Sequence, residues 1–494
     1  MPFFSYPHGG KRLRLSLVLA ASLLPGAVPC GAQRAPATFD KPWQGPANAQ
    51  ARQAQAAEAD PRTVIDPARV YTLPDLVDLA EAHNPSTRAA WAEARAEAGR
   101  LGIAKGDWYP SLTAVMMTNT TRDGVLLNEV FVRQTLGLYE PMLQVNYLLL
   151  DFGSRSAGIA QARERLLSAN LSFNRVQLDV LFETARRYYR LLNAIGQRDA
   201  AQVNFDNADT VRKAVQARLE VGLATLPDAL EASAAAAQAN FTLQAAIGDV
   251  DVARGDLLSL LGASPLGRLQ VQALKDLELP AHLEGEPEGN VEGDVKKALA
   301  QRPELGQQVA ARDAAQAEIR GARSAFLPQL QFQGQGGAIR AYGRQNQLND
   351  TYAGPLEEWN VSLNLQWTLF DGGRREGELR RAHADEQAAK ARIDETRDEV
   401  EQQVWTAYVG LRTAFYQRDA AAALLSAAQT SYNAPLKSYQ LGLRNTVDVV
   451  TAQRTLAQAL SSDVAARTTL LTQLANLSYR TGDLLQSATR KAHP

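Results

Sequence analysis

The residues that could carry covalent or metal chemistry are few and scattered in this chain of 494 residues. Cys30 is the only cysteine, so the chain can form neither an internal disulfide framework nor a cysteine-rich metal site. The histidines lie far apart and none has a convincing nucleophile near it: His8, His83, His282, His383 and His493. The sequence also lacks a loop that could cradle phosphate. We therefore expect no enzyme activity, no cofactor and no metal site.

Two short glycine-containing segments, Val221–Thr225 and Leu441–Asn445, are the more informative places. Each puts its glycine where we expect a long helix to end, which is typical of a left-handed helix cap. Asp228 and Asp448 follow the two segments at the same spacing. An aspartate in the first turn of a helix stabilises the positive end of the helix dipole. Capping and dipole stabilisation are therefore one complete interpretation of these residues.

The two segments occupy equivalent places in a sequence that occurs twice. Gln197–Ala201 returns unchanged as Gln417–Ala421, and Asp151-Phe152-Gly153 returns as Asp371-Gly372-Gly373, both at an offset of 220 residues. Upstream of Pro110 the offset is 218, as between Asn84-Pro85 and Arg302-Pro303. We expect a loop between Pro110 and Asp151 to absorb the difference.

The N-terminus has the pattern of an export signal. Lys11, Arg12 and Arg14 precede the apolar run 15–24, and small residues place a cleavage point after Ala32. Acylation of Cys30 as a lipoprotein is the alternative, although Pro29 fits that signal poorly. The composition of residues 33–69, which are rich in Ala, Gln and Pro, indicates a flexible leader.

Helices of unusual length account for most of the remaining chain. Proline is absent from Ser154 to about Leu219, where apolar residues recur at the spacing of a coiled coil. At about 1.5 Å per residue such a helix reaches roughly 100 Å. The second copy runs from Arg374 to about Gln440, with a kink expected at Pro435. Shorter helices return after each glycine segment, from about Asp228 to Leu261 and from Val447 to Tyr479.

Each half also contains two strand candidates. In the second half, apolar residues from Val361 to Leu369 alternate with polar ones from Asn360 to Thr368. The strands preceding them follow a proline and run from Leu112 to Asn119 in the first half and from Leu330 to Ile339 in the second. A half-buried sheet in a soluble protein and a sheet in contact with lipid both show this alternation. After the signal no apolar run is long enough for a membrane helix, so any membrane crossing must use strands.

Closure of such a sheet would require several chains. Lipid cannot satisfy the hydrogen-bonding groups at an open sheet edge, and known membrane barrels start at about eight strands. Four strands per chain are too few. A sheet embedded in lipid would therefore be shared between copies of this chain.

The tandem halves, the proline-led hairpins, the Leu369–Arg374 exit and the two Gly-Leu turns together resemble the TolC-type outer-membrane factors of Gram-negative bacteria. The resemblance covers about residues 71 to 484. It implies an α+β membrane protein, a homotrimer whose four strands per chain form a 12-stranded β-barrel continued by a long α-helical periplasmic barrel. The implied order is signal peptide 1–32, leader 33–69, first repeat 70–262, crossover 263–293, second repeat 294–484 and C-terminal tail 485–494.

The resemblance also implies roles for the two glycine segments as periplasmic tips. Members of the family export drugs, metals or polypeptides with an inner-membrane pump and a periplasmic adaptor, and the adaptor docks at the tips. The contact residues would be Gly222, Leu223, Gly442 and Leu443. Outer-membrane lipid is the other implied partner, and the net charge of −1 gives no sign of nucleic-acid binding.

A periplasmic gate is implied at the same place. Tyr439 and Arg444 match residues that hold the family's inner helices shut, and Asp228 matches the carboxylate that they bind. Asp448 matches an acidic ring, whose three copies would focus a negative potential at a narrow mouth. Two positions differ from the family: Thr451 replaces a second acidic residue, and Pro227 replaces a hydroxyl residue that helps accept the arginine. These differences predict a looser or differently latched gate.

The alternative to a channel is an exported periplasmic coiled-coil scaffold whose hairpins pack on a partner. Heat-modifiable trimers in outer-membrane fractions would indicate the channel, and release by osmotic shock would indicate the scaffold. The sequence leaves open whether the substrate is a drug, a metal or a polypeptide, and which class of pump supplies it.

Overall fold

A computed structural model describes residues 63–127, 129–274, 290–345, 351–440 and 445–483, which belong to one compact unit beginning at Thr63. The predicted signal peptide 1–32 with Cys30, the leader up to residue 62 and the C-terminal tail 485–494 lie outside the described residues. Residues 275–289 of the predicted crossover and residues 441–444 of the second glycine segment also lie outside them. The predicted domain boundaries therefore stay predictions.

The same order of long elements occurs in both halves of the described chain. The first half contains β1 (Val70–Tyr71), α1 (Leu73–His83), α2 (Pro85–Gly106), β2 (Ser111–Leu127), β3 (Val130–Leu150), α3 (Ser154–Glu220) and α4 (Leu226–Leu260). The second half contains β4 (Gln270–Val271), α5 (Val291–Gln301), α6 (Pro303–Ser324), β5 (Gln329–Gln345), β6 (Thr351–Gln366), α7 (Arg374–Gln440) and α8 (Thr446–Thr481). The long helices and their returns are thus confirmed to within about two residues. Helix α7 runs through Pro435 as one helix.

The two hairpins join into one four-stranded antiparallel sheet with the order β2-β3-β5-β6. The strands pair over long ladders, from Ser111 opposite Asn146 to Leu127 opposite Val130 in the first hairpin. The inner strands β3 and β5 pair across the two halves, with a bulge between Leu148 and Leu150. Strands β2 and β6 therefore stand at the two edges of the sheet.

The apolar face of β6 is open to the surroundings of the single chain. Trp359, Val361, Leu363 and Leu365 have exposures between 60% and 77%. A half-buried sheet of a soluble protein would cover this face with other elements of the chain. No helix in the described part of the chain is both long and apolar enough to cross a membrane.

A duplicated junction connects the sheet to the two long helices. Asp151 accepts hydrogen bonds from the Arg155 backbone N–H at 2.6 Å and from the Arg155 guanidinium at 3.1 Å. Asp371 and Arg375 repeat these contacts at 3.2 and 2.8 Å. Each carboxylate so satisfies N–H groups at a helix start, which otherwise lack a partner. Gly153 and Gly373 precede the helices with φ of 99° and 86°, a backbone conformation that glycine adopts readily.

The largest buried cluster lies midway along α3, where α1, α4 and α8 pack against it. Its largest fully buried side chains include Tyr188, Leu191, Leu192 and Leu257. Close by, β1 pairs in parallel with β4. Further toward the glycine segments the buried residues are mostly alanine and valine, which lets the helices approach closely. The core therefore fixes the middle of α3, and small side chains allow close packing of the part of α3 nearer the tip.

Candidate functional site at the tips of the helical hairpins

The first tip is a helix cap built on Gly222. The Leu223 N–H donates to the Arg218 carbonyl at 2.8 Å, and the Gly222 N–H donates to the Leu219 carbonyl at 2.9 Å. This pair of hydrogen bonds is the Schellman motif, which requires a left-handed residue after the helix. Gly222 supplies it with a φ of 74°, so the predicted positive-φ cap is confirmed there. Leu223 is left 70% exposed at the turn.

Helix α4 starts at once with a capping box. The Thr225 hydroxyl donates to the Asp228 carboxylate at 2.6 Å, and the Thr225 backbone N–H donates to the same oxygen at 3.1 Å. Pro227 lies in the first helical turn, where its missing N–H costs nothing. Asp228 is therefore a capping residue, as the simpler interpretation of the sequence predicts.

Asp228 also reaches the second repeat. Its pKa is held below the ordinary aspartate value mainly by the Thr225 hydroxyl, then by the Thr225 N–H, with a further contribution from the Thr446 hydroxyl. Partial burial opposes these effects. Thr446 is a buried residue at the start of α8. Asp228 lies in the first turn of α4 and Thr446 begins α8, so this electrostatic contribution comes from the other repeat.

The second tip begins α8 in the same way as the first begins α4. The Asn445 side chain accepts a hydrogen bond from the Asp448 N–H at 3.0 Å. Asp448 is half-buried in the first turn of α8, and Thr451 is exposed in the next. Gly442, Leu443 and Arg444 lie outside the described residues, so their predicted roles stay predictions.

Tyr439 lies one residue before the end of α7 and is only 5% exposed. It packs in an apolar cluster that includes Ala229 and Val449, the neighbours of Asp228 and Asp448. The structure thus brings Asp228, Tyr439 and Asp448 to one end of the molecule. The resemblance implied that the tyrosine binds Asp228. Within the described residues the Tyr439 hydroxyl instead is buried without a hydrogen-bond partner, and the side chain belongs to the apolar cluster.

Arg218 is the tip residue that sequence reasoning missed. Its Nη1 donates to the Tyr439 carbonyl at 2.7 Å, and its guanidinium lies 4.9 Å from the centre of the Tyr439 ring. The offset of about 220 residues between the repeats could have indicated this contact. It places equivalent positions of the two hairpins at the same end of the molecule. Arg218 and Tyr439 are separated by about that offset, as are Asp228 and Thr446.

The described residues combine two long helices of about 100 Å, each with a shorter return helix, and one four-stranded sheet with an open apolar face. A sequence profile described as "Outer membrane efflux protein" matches residues 76–263 and 295–483. The chain belongs to the outer membrane efflux protein family, and the resemblance to TolC-type factors is confirmed.

Similar proteins support the same assignment. The chain is 27% identical to protein CyaE of Bordetella pertussis over 423 residues, covering 84% of each chain. It is 26% identical to the pyoverdine export outer membrane protein OpmQ of Pseudomonas aeruginosa, covering 92% of this chain and 93% of the relative. The fold matches the CmeC outer membrane channel of Campylobacter jejuni with a TM-score of 0.72 and 17% identity, covering 85% and 89% of the two chains.

Membership of the family places this protein in the outer membrane, with its helical part in the periplasm. The family and the relatives are transport channels rather than enzymes. The periplasmic scaffold without channel activity is disfavoured by this assignment.

Proposed function

We propose that this protein is the outer-membrane exit duct of a tripartite efflux or type I secretion system. It passes substrate from an inner-membrane pump and a periplasmic adaptor to the exterior. Three copies assemble, so that four strands from each chain form a 12-stranded barrel in the outer membrane, continued by the long helices as a periplasmic tunnel. The similarity to OpmQ, whose name describes pyoverdine export, supports export as the activity.

The observation that carries the proposal is the open sheet with an exposed apolar face. Strands β2 and β6 are its edges, and the apolar side chains of β6 are uncovered. Hydrocarbon cannot satisfy the backbone groups at those edges, so the sheet must close with strands from other chains. Three copies bring the strand number above the minimum of about eight found in membrane barrels.

The tips supply the docking surface for the adaptor in this proposal. Val221, Leu223 and Leu226 form an apolar group at the first tip, each at least 61% exposed. Exposed apolar patches of this kind favour protein contacts. Gly222 and Leu223 therefore contact the adaptor, together with Gly442 and Leu443 of the second tip.

Asp448 lines the periplasmic entrance of the proposed duct, and Asp228, Tyr439 and Arg444 contribute to its gate. Around a three-fold axis the Asp448 carboxylates form one acidic ring, which favours cations at a narrow mouth. Because Thr451 is uncharged, the ring holds one carboxylate per chain at these two positions. We expect a modest cation preference.

Single-channel conductance in planar bilayers tests the duct and the ring together. Wild-type protein should give a small cation-preferring conductance. Asp448→Ala should lose the preference, while Asp199→Ala, which removes an exposed aspartate from α3, should keep it. Arg444→Ser should enlarge the conductance. If neither Asp448→Ala nor Arg444→Ser changes the conductance, the proposed gate roles of these residues are wrong. If folded protein does not insert into the bilayer, the proposed duct is wrong.

Fractionation of cells gives an independent check of the assembly. The duct should be recovered from outer-membrane fractions as a trimer that dissociates on heating. Release of the protein by osmotic shock, without such trimers, would contradict the proposal and favour a periplasmic scaffold.

A further inference from the structure

We propose that Arg218 is the latch of the periplasmic tip, holding the end of α7 against the end of α3 through the ring and the carbonyl of Tyr439. This inference rests on the proposed channel function. In this proposal a residue of the first repeat makes the contact that keeps the tip closed. That contact involves the aromatic ring of Tyr439 rather than its hydroxyl.

The Tyr439 carbonyl lies in the last turn of α7. It belongs to the last four carbonyls of α7, which lack a donor within their own helix. The Arg218 Nη1 supplies that donor from α3 at 2.7 Å. A cation at a helix C-terminus also interacts favourably with the negative end of the helix dipole. Arg218 therefore caps a helix of the other repeat.

Arg218 also contacts the aromatic ring of Tyr439. The guanidinium lies 4.9 Å from the ring centre, within the range of a cation–π interaction. The ring itself is buried in an apolar cluster to which α3 contributes Val215 and α8 contributes Val449. One arginine thus holds both the backbone and the side chain of Tyr439. Two attachments on one residue fix the orientation of the last turn of α7 as well as its position.

The contacts above the latch are of two kinds. Above the tip, α3 and α8 are joined by side-chain hydrogen bonds, the lowest of which links Gln453 to Asn204 at 3.2 Å. Below that level an apolar cluster rich in alanine and valine lies between the hairpins. Apolar contact is non-directional, so it stabilises contact without fixing a position. Arg218 supplies a directional contact at the end of this segment.

Conductance of the purified trimer tests the latch with variants of both partners. Arg218→Ala should raise the ratio of open to closed channels roughly tenfold, since a cation–π contact and a charge-assisted hydrogen bond are lost together. Arg212→Ala is the matched control, because Arg212 pairs with Asp209 of its own helix at 2.7 Å. Unchanged gating in Arg218→Ala would overturn the proposal.

The hydroxyl of Tyr439 provides the sharper test. Tyr439→Phe should stay closed like the wild type, because that hydroxyl has no partner among the described residues. Tyr439→Leu should open the channel like Arg218→Ala, because the ring is lost. An open channel in Tyr439→Phe would mean that the hydroxyl is the latch, and would reject the role of the ring.

A distance measurement separates failure of the latch from failure of the channel. Spin labels on Glu220→Cys and Val447→Cys, in protein carrying Cys30→Ala, report the separation of the two hairpins at the tip. Arg218→Ala should broaden and lengthen the distance distribution relative to Arg212→Ala. An unaltered distribution would overturn the latch whether or not the protein conducts. A shifted distribution in protein that does not conduct would reject the duct alone.

Discussion

Gly222 is the residue on which the shape of the first tip depends most directly. Its φ of 74° lies in the left-handed region, and a Cβ placed there would meet no atom of the described residues within 4 Å. Among those residues, a methyl group at this position therefore acts through backbone strain. The adjoining leucine owes its exposed position to this turn.

Gly222→Ala should destabilise the tip locally by about 1 kcal/mol, the usual cost of a left-handed conformation for a residue with a Cβ. Hydrogen exchange of the peptide spanning residues 218–226 should become faster. Gly248→Ala is the control, since Gly248 lies within α4 with open space around it. Alanine should stabilise that helix by roughly 0.5 to 1 kcal/mol. Equal exchange in the two variants would contradict the role of the cap.

Asp228 makes its contacts as an ionised carboxylate, and its pKa is lowered by the Thr225 hydroxyl first and by the Thr225 N–H next. A lowered folded-state pKa means that its stabilising effect is complete above the unfolded value of about 3.9 and is lost as the pH falls through the lower folded value. At pH 7 and at about pH 5 the contact should therefore be equally intact.

Asp228→Asn should raise the open probability of the channel, by the same factor at pH 7 and at pH 5. The matched control is Asp209→Asn, because Asp209 is paired with Arg212 and Lys213 of its own helix. Bilayer recordings at the two pH values provide the measurement. An effect that disappears at pH 5 would show that the carboxylate titrates near that value, which is incompatible with a lowered pKa.

At the tips, the sequence predicted those residues that act through contacts with their near neighbours in the chain. The cap at Gly222 and the first-turn position of Asp228 follow from neighbours within six residues, where helix-ending rules apply. The Thr446 and Arg218 contacts could not be predicted in that way. They join residues more than 200 positions apart, and only the packing of helices from the two repeats brings those residues together.

At the scale of elements, α3 and α8 approach so closely that a side chain at Gly196 has no room. A Cβ on Gly196 would lie 2.5 Å from Cγ1 of Val464, far inside contact distance. Next to it, the Ser461 carbonyl accepts a hydrogen bond from the Gln197 amide at 2.8 Å. The register of the two helices is therefore fixed by shape and by a polar contact at one level.

Gly196→Ala should destabilise the protein by roughly 1 to 3 kcal/mol, the usual cost of overpacking. The midpoint of denaturant-induced unfolding should fall, and the proposed trimer should dissociate at lower temperature. Val464→Ala in the same chain should restore much of the loss, because the clash disappears. Equal losses in the single and double variants would place the cause somewhere other than this contact.

The sequence predicted where the long helices begin, but it did not predict where the strands end. Helices α3 and α7 start directly after Gly153 and Gly373, so a local signal marks each boundary. The prediction for β2 ended near Asn119, yet the strand continues to Leu127 through polar residues such as Thr121 and Asp123. Backbone pairing in a hairpin needs no apolar side chain, so alternation provides no signal there.

At the scale of the whole molecule, the two faces of β6 should have opposite tolerance for charge. Leu363 lies on the exposed apolar face, and Asn364 points to the other face, where it donates to Gln333 at 3.1 Å. In a membrane barrel one of these faces meets lipid and the other meets the lumen. The neighbouring residues therefore provide a matched pair.

Leu363→Arg should reduce insertion into the outer membrane, since an arginine facing lipid costs about 2 to 4 kcal/mol near the midplane of the bilayer. Asn364→Arg should insert normally and change only conductance. The amount of heat-modifiable trimer in outer-membrane fractions measures both. Normal insertion of Leu363→Arg would contradict lipid contact by this face.

Helices α3 and α7 have the same length of 67 residues. Each residue adds about 1.5 Å, so both helices are about 100 Å long. Both start at matching junctions next to the sheet. One extra turn in a single copy would displace one tip by about 5.4 Å and separate Arg218 from Tyr439. The distance that the helices extend into the periplasm can therefore change only through equal insertions or deletions in both repeats. Any periplasmic partner must span the remaining distance to the inner membrane.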